Sequence, residues 1–342
     1  MSRMIRFHKF GDADADVLQY EEVPTPVPGP GEVLVRVQAV GLGWKDVLWR
    51  QNLAAEQAKL PSGIGFELAG SVAALGEGVS DFEVGMAVAG FPAATPNRYP
   101  TWGDLVLMPS HALTRYPEVL SPVEASVHYN SLLFGYLALV DLAHLKPGQH
   151  VLITEASHCI APQTVQLAKA LGAKVIASTG SDDDREFLRG LGADKVIVTE
   201  EQDLVLEVER YTEGKGVEVI LDQCAGPQMK LLGDIAAPRG KLILYGINGG
   251  NDTAFPACAA FKKHLQFYRH CVLDFTGCPE LGIEPNNEAV QRALTHINQM
   301  TADRLLTPVI DKVFAFDDFV AAHRYMETCP NRGRVALQLA TD

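Results

Sequence analysis

The chain has 342 residues, 47% hydrophobic and 21% charged, an ordinary globular composition with room for about two domains. Acidic residues outnumber basic ones, 42 to 29; a nucleic-acid partner would want a basic face, whereas a small anionic ligand can still be held by single cations and local dipoles. The longest apolar run, Leu132 to Val140, stops at Asp141, and MSRMIRFHKF lacks a signal-peptide core, so the expectation is a cytoplasmic protein without a membrane partner.

Residues 1–122 read as β-rich. Glu32 to Val40 alternates and places Val33, Val35, Val37 and Ala39 on one face. The preceding PTPVPGPGE, 24–32, is a turn that fits neither a helix nor a central strand. Glycines at 63, 65, 70, 76, 78, 85 and 90 then punctuate short strands, as tight turns do in a small barrel-like domain. From Pro122 the texture changes. Strands are expected at 151–153, 175–178, 196–198, 217–222, 241–245 and 266–272. Helices are expected at 123–141, 161–171, 183–191, 203–212, 227–236 and 256–264. That alternation predicts an α/β fold with a doubly wound parallel sheet. Residues 288–300 and 317–328 look like two further helices, and Arg334 to Leu339 like a last strand. The six cysteines, at 159, 224, 258, 271, 278 and 329, form no C-x-x-C pair and are read as free thiols.

The segment VLITEASHCI, 151–160, carries the most information. Val151-Leu152-Ile153 runs into a turn, then the apolar helix Ala161 to Leu171, then the strand Val175-Ile176-Ala177. This is a βαβ opening, where a dinucleotide's pyrophosphate sits on the helix N-terminus. The turn nevertheless contains no glycine.

Eight segments in order give the chain a family likeness: PVPGPGEVLVRVQAVGL (26–42), GIGFELAGSVAALGEGVSDFEVGMAV (63–88), LKPGQHVLIT (145–154), AKALGAKVIAST (168–179), LGADKVI (191–197), LDQCAG (221–226), APRGKLILYG (237–246) and NRGRVALQL (331–339). The chain resembles the medium-chain dehydrogenase/reductases, and within them the zinc-free quinone oxidoreductase and zeta-crystallin branch. The resemblance implies a GroES-like substrate domain over 1–122, with 276–342 returning to it, and a Rossmann domain over 123–275 that carries NAD(P). It also implies an active cleft between the domains, reduction of quinones or enones by hydride transfer, and a homodimer formed through the strand near Phe267 to Val272.

Zinc-dependent relatives in that family hold a catalytic metal through a Cys after the opening strand and a His in a Gly-His-Glu turn. The matching positions here are Gly43 and Phe66, beside a retained Glu67, and neither can donate to a metal. No metal is therefore expected, and the histidines are read as surface or core residues. Carbonyl polarisation would then come from hydrogen bonds or water, which suits an activated C=C or a quinone.

The family turn is A-x-G-G-V-G, and the matching residues are Ala156, Ser157, His158, Cys159, Ile160 and Ala161. Two readings stay open. Ser157, His158 and the free N–H groups hold the pyrophosphate, or the side chains and Glu155 fill the site and nucleotide is lost. A positive φ at His158 or Cys159 would cost about 1 kcal/mol or more. Cys159 is either a small buried residue or a thiol activated by the helix end. The second strand ends Ala177-Ser178-Thr179-Gly180-Ser181 without an acid for the ribose diol, which leans toward NADPH over NADH. Ser178, Gly180 and Ser181 are candidate contacts. The family's NADPH-reading Lys is Asp184 here, so Arg185 is the candidate for a 2′-phosphate. The run Asp182-Asp183-Asp184 is awkward for that group and also reads as a capped helix start. Gly246 and Ile247 match the place where the family's backbone approaches the nicotinamide.

On the substrate side the family's Asn and Tyr are replaced by Gly43 and Leu48. Lys45, Asp46 and Tyr136 are the candidate catalytic residues; Lys45 also reads as a surface lysine and Asp46 as structural. Trp44, Phe66, Tyr129, Phe134 and Tyr136 form an aromatic wall for a flat substrate or are plain core. Two rivals accompany the reductase reading: a trans-acting enoyl reductase, which would want a basic docking patch for an acidic carrier, and a non-catalytic protein that kept the fold.

Overall fold

The computed structural model describes residues 1–328 and 332–340; Cys329 and Asn331 lie outside them. The chain divides into two compact units, Met1–Asn130 with Val272–Ala302 and Thr307–Asp342, and Ser131–Cys271 with Asp303–Leu306. The first boundary falls inside the helix Pro122–Tyr136 rather than at its start, and the second a few residues before 275.

In the first unit the 11-residue strand Glu32–Leu42 is the hub. It pairs antiparallel with Leu68–Leu75, Leu105–Pro109 and Arg334–Gln338. Val33, Val35, Val37 and Ala39 are buried as the alternation predicts, but so are Leu34 and Val40, so both faces of the strand are covered. The last strand, Arg334–Gln338, also pairs in parallel with Ile310–Ala315. That edge strand went unforeseen because IDKVFA has no period-2 pattern. A short helix, Trp44–Arg50, also unforeseen, opens directly after the hub strand. Gly65 takes φ +99°, and a Cβ there would lie 2.2 Å from Thr101 Oγ1 and from Trp102 Cδ1, so only glycine fits this turn.

The second unit is the doubly wound sheet. Its strands run in the order Lys195–Val198, Lys174–Thr179, His150–Ile153, Val217–Asp222, Ala236–Leu244 and Gln266–Arg269, all parallel. One face packs Leu152, Ile176, Ile197, Ile220 and Leu242 against Leu204, Val208, Met229, Leu232 and Ile235; each such side chain contributes about 1.5–3 kcal/mol when fully buried. The helix Ala161–Ala170 is buried from Ala161 to Ala168. Gly135 lets it pack close to its neighbour, since a Cβ there would already touch Thr164 and Leu167 at 3.1 Å. The predicted helix 123–141 is α-helical to Tyr136 and then widens into a π-helical turn, Leu137–Leu142. The predicted strand 266–272 ends at Arg269, and a short helix, Leu273–Thr276, follows. No helix among the described residues is long and apolar enough to cross a membrane.

The chain order reverses between His150–Ile153 and Val217–Asp222. In open α/β sheets the crevice at such a switch point, at the carboxyl ends of the strands, is where ligands bind.

Candidate functional site

Asp222 closes its strand at that switch point and is 1% exposed. Its carboxylate accepts the Thr154 hydroxyl at 2.7 Å and the Cys224 and Ala225 N–H groups at 3.1 and 2.9 Å. Three donors explain how a carboxylate stays buried here. The Gln223 N–H in turn donates to Thr154 Oγ1 at 3.1 Å. The next loop locks onto this one: Asn248 N–H donates to Gln223 O at 3.1 Å and Gly249 N–H to Cys224 O at 2.7 Å. A Cβ on Gly246 would stand 2.4 Å from Gln223 O, so the two backbones meet with no side chain between them. Burial beside Asp222 and Glu155 pushes the Cys224 thiol up to about 12, which keeps it protonated and unreactive.

The glycine-free turn is held by Ala156 N–H donating to Ser178 O at 2.8 Å. Both Glu155 and Cys159 take positive φ, +45° and +52°. Cys159 thus adopts the left-handed conformation that glycine supplies elsewhere, at a cost of about 1–2 kcal/mol. His158 needs no such conformation. Ser157 is fully buried and its Oγ has no hydrogen-bond partner; it sits beneath the turn, not on its outer face. Glu155, His158, Cys159 and Ile160 are the partly exposed members. Among the described residues the Ile160 N–H has no partner, and it stands at the start of the helix Ala161–Ala170, whose first turn contains Pro162.

Beside the turn opens a cleft of about 520 Å³, its mouth included, lined by Thr154, Glu155, Ser178, Thr179, Gly180, Thr199, Glu200, Asp222 and Cys224 together with Leu204, Gln228 and Leu232. Of the predicted ribose-end residues, Ser178 and Gly180 line it. Ser181 instead caps the next turn, accepting the Asp183 N–H at 3.3 Å. Arg185 donates to Asp182 Oδ1 at 2.6 Å and has Glu201 at 3.9 Å. Ile247 is 61% exposed. Thr199, Glu200 and Gln228 were not foreseen; they lie in loops whose sequence carries no motif. The LDQCAG segment was recognised, but not the carboxylate network it builds.

The residues fit a dinucleotide: an open N–H at a helix end for the pyrophosphate, a polar cleft beside the second strand's end for the adenosine half, and a locked pair of loops beyond Asp222. At the turn His158, Cys159 and Ala161 stand where the family has glycine, and of these only Cys159 takes a positive φ.

In the first unit Asp46 accepts the Gly43 N–H through Oδ2 at 2.9 Å, while its Oδ1 has no partner among the described residues. Burial first, and Glu67 next to it, push this carboxyl up to about 7. Glu67 is ion-paired with Arg334, yet burial outweighs that cation and raises its carboxyl as well. The Lys45 ammonium lies 6.0 Å from the Phe66 ring centre, and Trp49 meets the same ring edge-on at 6.1 Å. The position of a ligating histidine is therefore filled by an apolar ring. Among the described residues no group of three or more His, Cys, Asp or Glu is placed to hold a metal. Tyr136 is 2% exposed, and Tyr129 and Phe134 are 1% and 3% exposed. All three rings are buried, as core residues are. Trp44 remains exposed.

A β-rich unit closed by its own C-terminal strand, with a doubly wound unit carrying a cleft at its switch point, is the architecture of two-domain dehydrogenases. Two family models match: one described as an alcohol dehydrogenase GroES-like domain over residues 29–111, the other as a zinc-binding dehydrogenase over 160–282. The synaptic vesicle membrane protein VAT-1 homolog of Rattus norvegicus is 29% identical over 96% of this chain and 82% of its own. An Escherichia coli quinone oxidoreductase, solved in complex with NADPH, is 25% identical with a TM-score of 0.85 over 98% of this chain and 99% of that one. A structure of an NAD-dependent alcohol dehydrogenase is 26% identical with a TM-score of 0.87 over 99% and 100%. The chain belongs to the medium-chain dehydrogenase/reductase superfamily, in its quinone-oxidoreductase-like branch.

Proposed function

We propose that the protein is a zinc-independent, nicotinamide-dependent reductase that passes hydride to a quinone or an α,β-unsaturated carbonyl. The observation that carries this reading is the switch-point cleft beside an open helix N-terminus. Bound NAD(P)H supplies the hydride. The residues of this chain supply position. The Ile160 N–H and the helix dipole hold the pyrophosphate, and the locked loops around Gln223 and Gly246 form a rigid floor for the nicotinamide end. Lys45 donates to the substrate oxygen where zinc enzymes use a Lewis acid, and Asp46 fixes the Gly43 backbone beside it. The product's proton comes from water. Without a metal, acceptors already activated by conjugation are favoured over simple ketones. Among the described residues the four-residue edge strand Gln266–Arg269 pairs on one side only, and a second copy of the chain is its partner in a homodimer.

The test is a fluorescence titration with NADH and NADPH, followed by mixing the reduced complex with 1,4-naphthoquinone and with 2-hexenal. Saturable binding and oxidation on mixing, unchanged by a chelator, are expected. Loss of turnover on chelation would remove the zinc-independent part. A second reading, a binding protein that has lost its nucleotide, is favoured by Cys159 and Glu155 at the turn; no saturable response to either nucleotide would establish it.

A further inference from the structure

We propose that the adenosine end of the cleft selects NADH over NADPH, and that Glu200 is the residue that reads the ribose. The inference rests on the nicotinamide-dependent reading above.

In doubly wound sheets the adenosine ribose lies at the end of the second strand, and an acid there accepts its diol. Here that end is Ser178-Thr179-Gly180, without an acid. The third-strand loop is clamped against it, because the Thr199 N–H and hydroxyl both donate to Thr179 O, at 2.8 and 3.2 Å. The clamp sets Glu200 in the lining of the cleft together with Ser178, Thr179 and Gly180. A carboxylate is thus supplied from a neighbouring strand to the place where the usual one is missing. It can accept an O–H from an uncharged diol.

The surrounding charge points the same way. Segments 179–185 and 199–201 contain Asp182, Asp183, Asp184, Glu200 and Glu201 against the single cation Arg185. That guanidinium is committed to Asp182 at 2.6 Å and faces Glu201 at 3.9 Å. Among the described residues no basic side chain lines the cleft, while Glu155, Glu200 and Asp222 do. A 2′-phosphate carries a charge of about −1.5 to −2 at neutral pH. Placed here it would meet carboxylates with no uncommitted cation, and like charges at close range exclude a ligand strongly.

The test is calorimetric titration of the full chain with NADH, NADPH and the two adenosine halves, AMP and 2′,5′-ADP. NADH should bind at least about tenfold tighter than NADPH, and AMP should be preferred over 2′,5′-ADP to a similar degree. Glu200→Ala should weaken NADH severalfold and tighten NADPH, and Glu200→Gln should do so to a smaller extent, with unchanged thermal melts. Opposite signs are the signature of a residue that reads the ribose; a merely structural role would move both nucleotides together. Equal affinities, tighter NADPH, or a parallel shift in the variants would overturn the selection while leaving the reductase reading intact. Failure of all four ligands to bind would overturn both.

Discussion

The Gln223 side-chain amide reaches across the switch point and donates to the Glu155 carbonyl at 2.8 Å. Glu155 sits at φ +45°, in a conformation that glycine would adopt without strain. The amide therefore holds, from the neighbouring strand, a turn that its own residues do not favour. Gln223→Ala should destabilise the protein by about 1 kcal/mol and weaken nucleotide binding as the turn loosens. A urea unfolding midpoint and a nucleotide affinity both equal to those of the native chain would show that the bond supports nothing.

Cys159 invites the reverse substitution. Its φ of +52° costs about 1–2 kcal/mol for an L-residue, offset in part by the roughly 0.5–1 kcal/mol of chain entropy that glycine loses on folding. Cys159→Gly should leave stability unchanged or raise it by up to about 1 kcal/mol, and nucleotide should bind severalfold tighter once the Cβ is gone. Weaker binding in this variant would mean that the thiol is part of the ligand site.

Gly246 has no room for a methyl group, since its Cβ would lie 2.4 Å from Gln223 O. That oxygen belongs to backbone and cannot swing aside, so relief requires the loops to part. Gly246→Ala should cost about 1–3 kcal/mol and weaken nucleotide binding at the same time. A variant as stable as the parent would show that the loops are not locked as described.

The buried acid Asp46 gives stability a pH dependence. Its carboxyl stands at about 7 in the fold, against an ordinary value of 3.8, so the folded state binds this proton more tightly than the unfolded chain does. Its contribution is full below about pH 4 and is lost as pH rises toward 7. Glu67 is raised too and acts in the same direction, while Arg334 and Lys45 oppose the shift in both. Asp46→Asn keeps an acceptor for the Gly43 N–H and removes this titration. Its unfolding free energy should vary less between pH 4 and 7, and at pH 8 it should exceed the parent's by a few kcal/mol, at about 1.4 per pKa unit. Parallel pH profiles for variant and parent would remove Asp46 from this role.

Much of the architecture was legible along the chain. The strands at 151–153, 175–178, 196–198 and 217–222 and the helix at 161–171 fall within a residue or two of their observed limits, because each is rich in apolar residues and bounded by turn residues. The helix Trp44–Arg50 and the edge strand Ile310–Ala315 were not legible. The first is too short for a helical period to show, and the second is half exposed and carries no alternation. At the site, the position of the glycine-free turn between first strand and helix could be read from the βαβ pattern alone. The burial of Ser157, the withdrawal of Tyr136 into the core and the capture of Arg185 by Asp182 could not.

Periodicity and punctuation were enough to establish a β-rich unit, a parallel sheet and a glycine-free turn between its first strand and helix. These are local properties, written in residues that are neighbours in the chain. Which charges face the ribose, and what steadies the turn, depend on Thr154, Glu200, Asp222 and Gln223, which stand at the ends of three different strands and are brought together only by the folded sheet. Hydrogen bonds and Coulomb forces act through space, so their sum at that point exists only once the strands lie side by side.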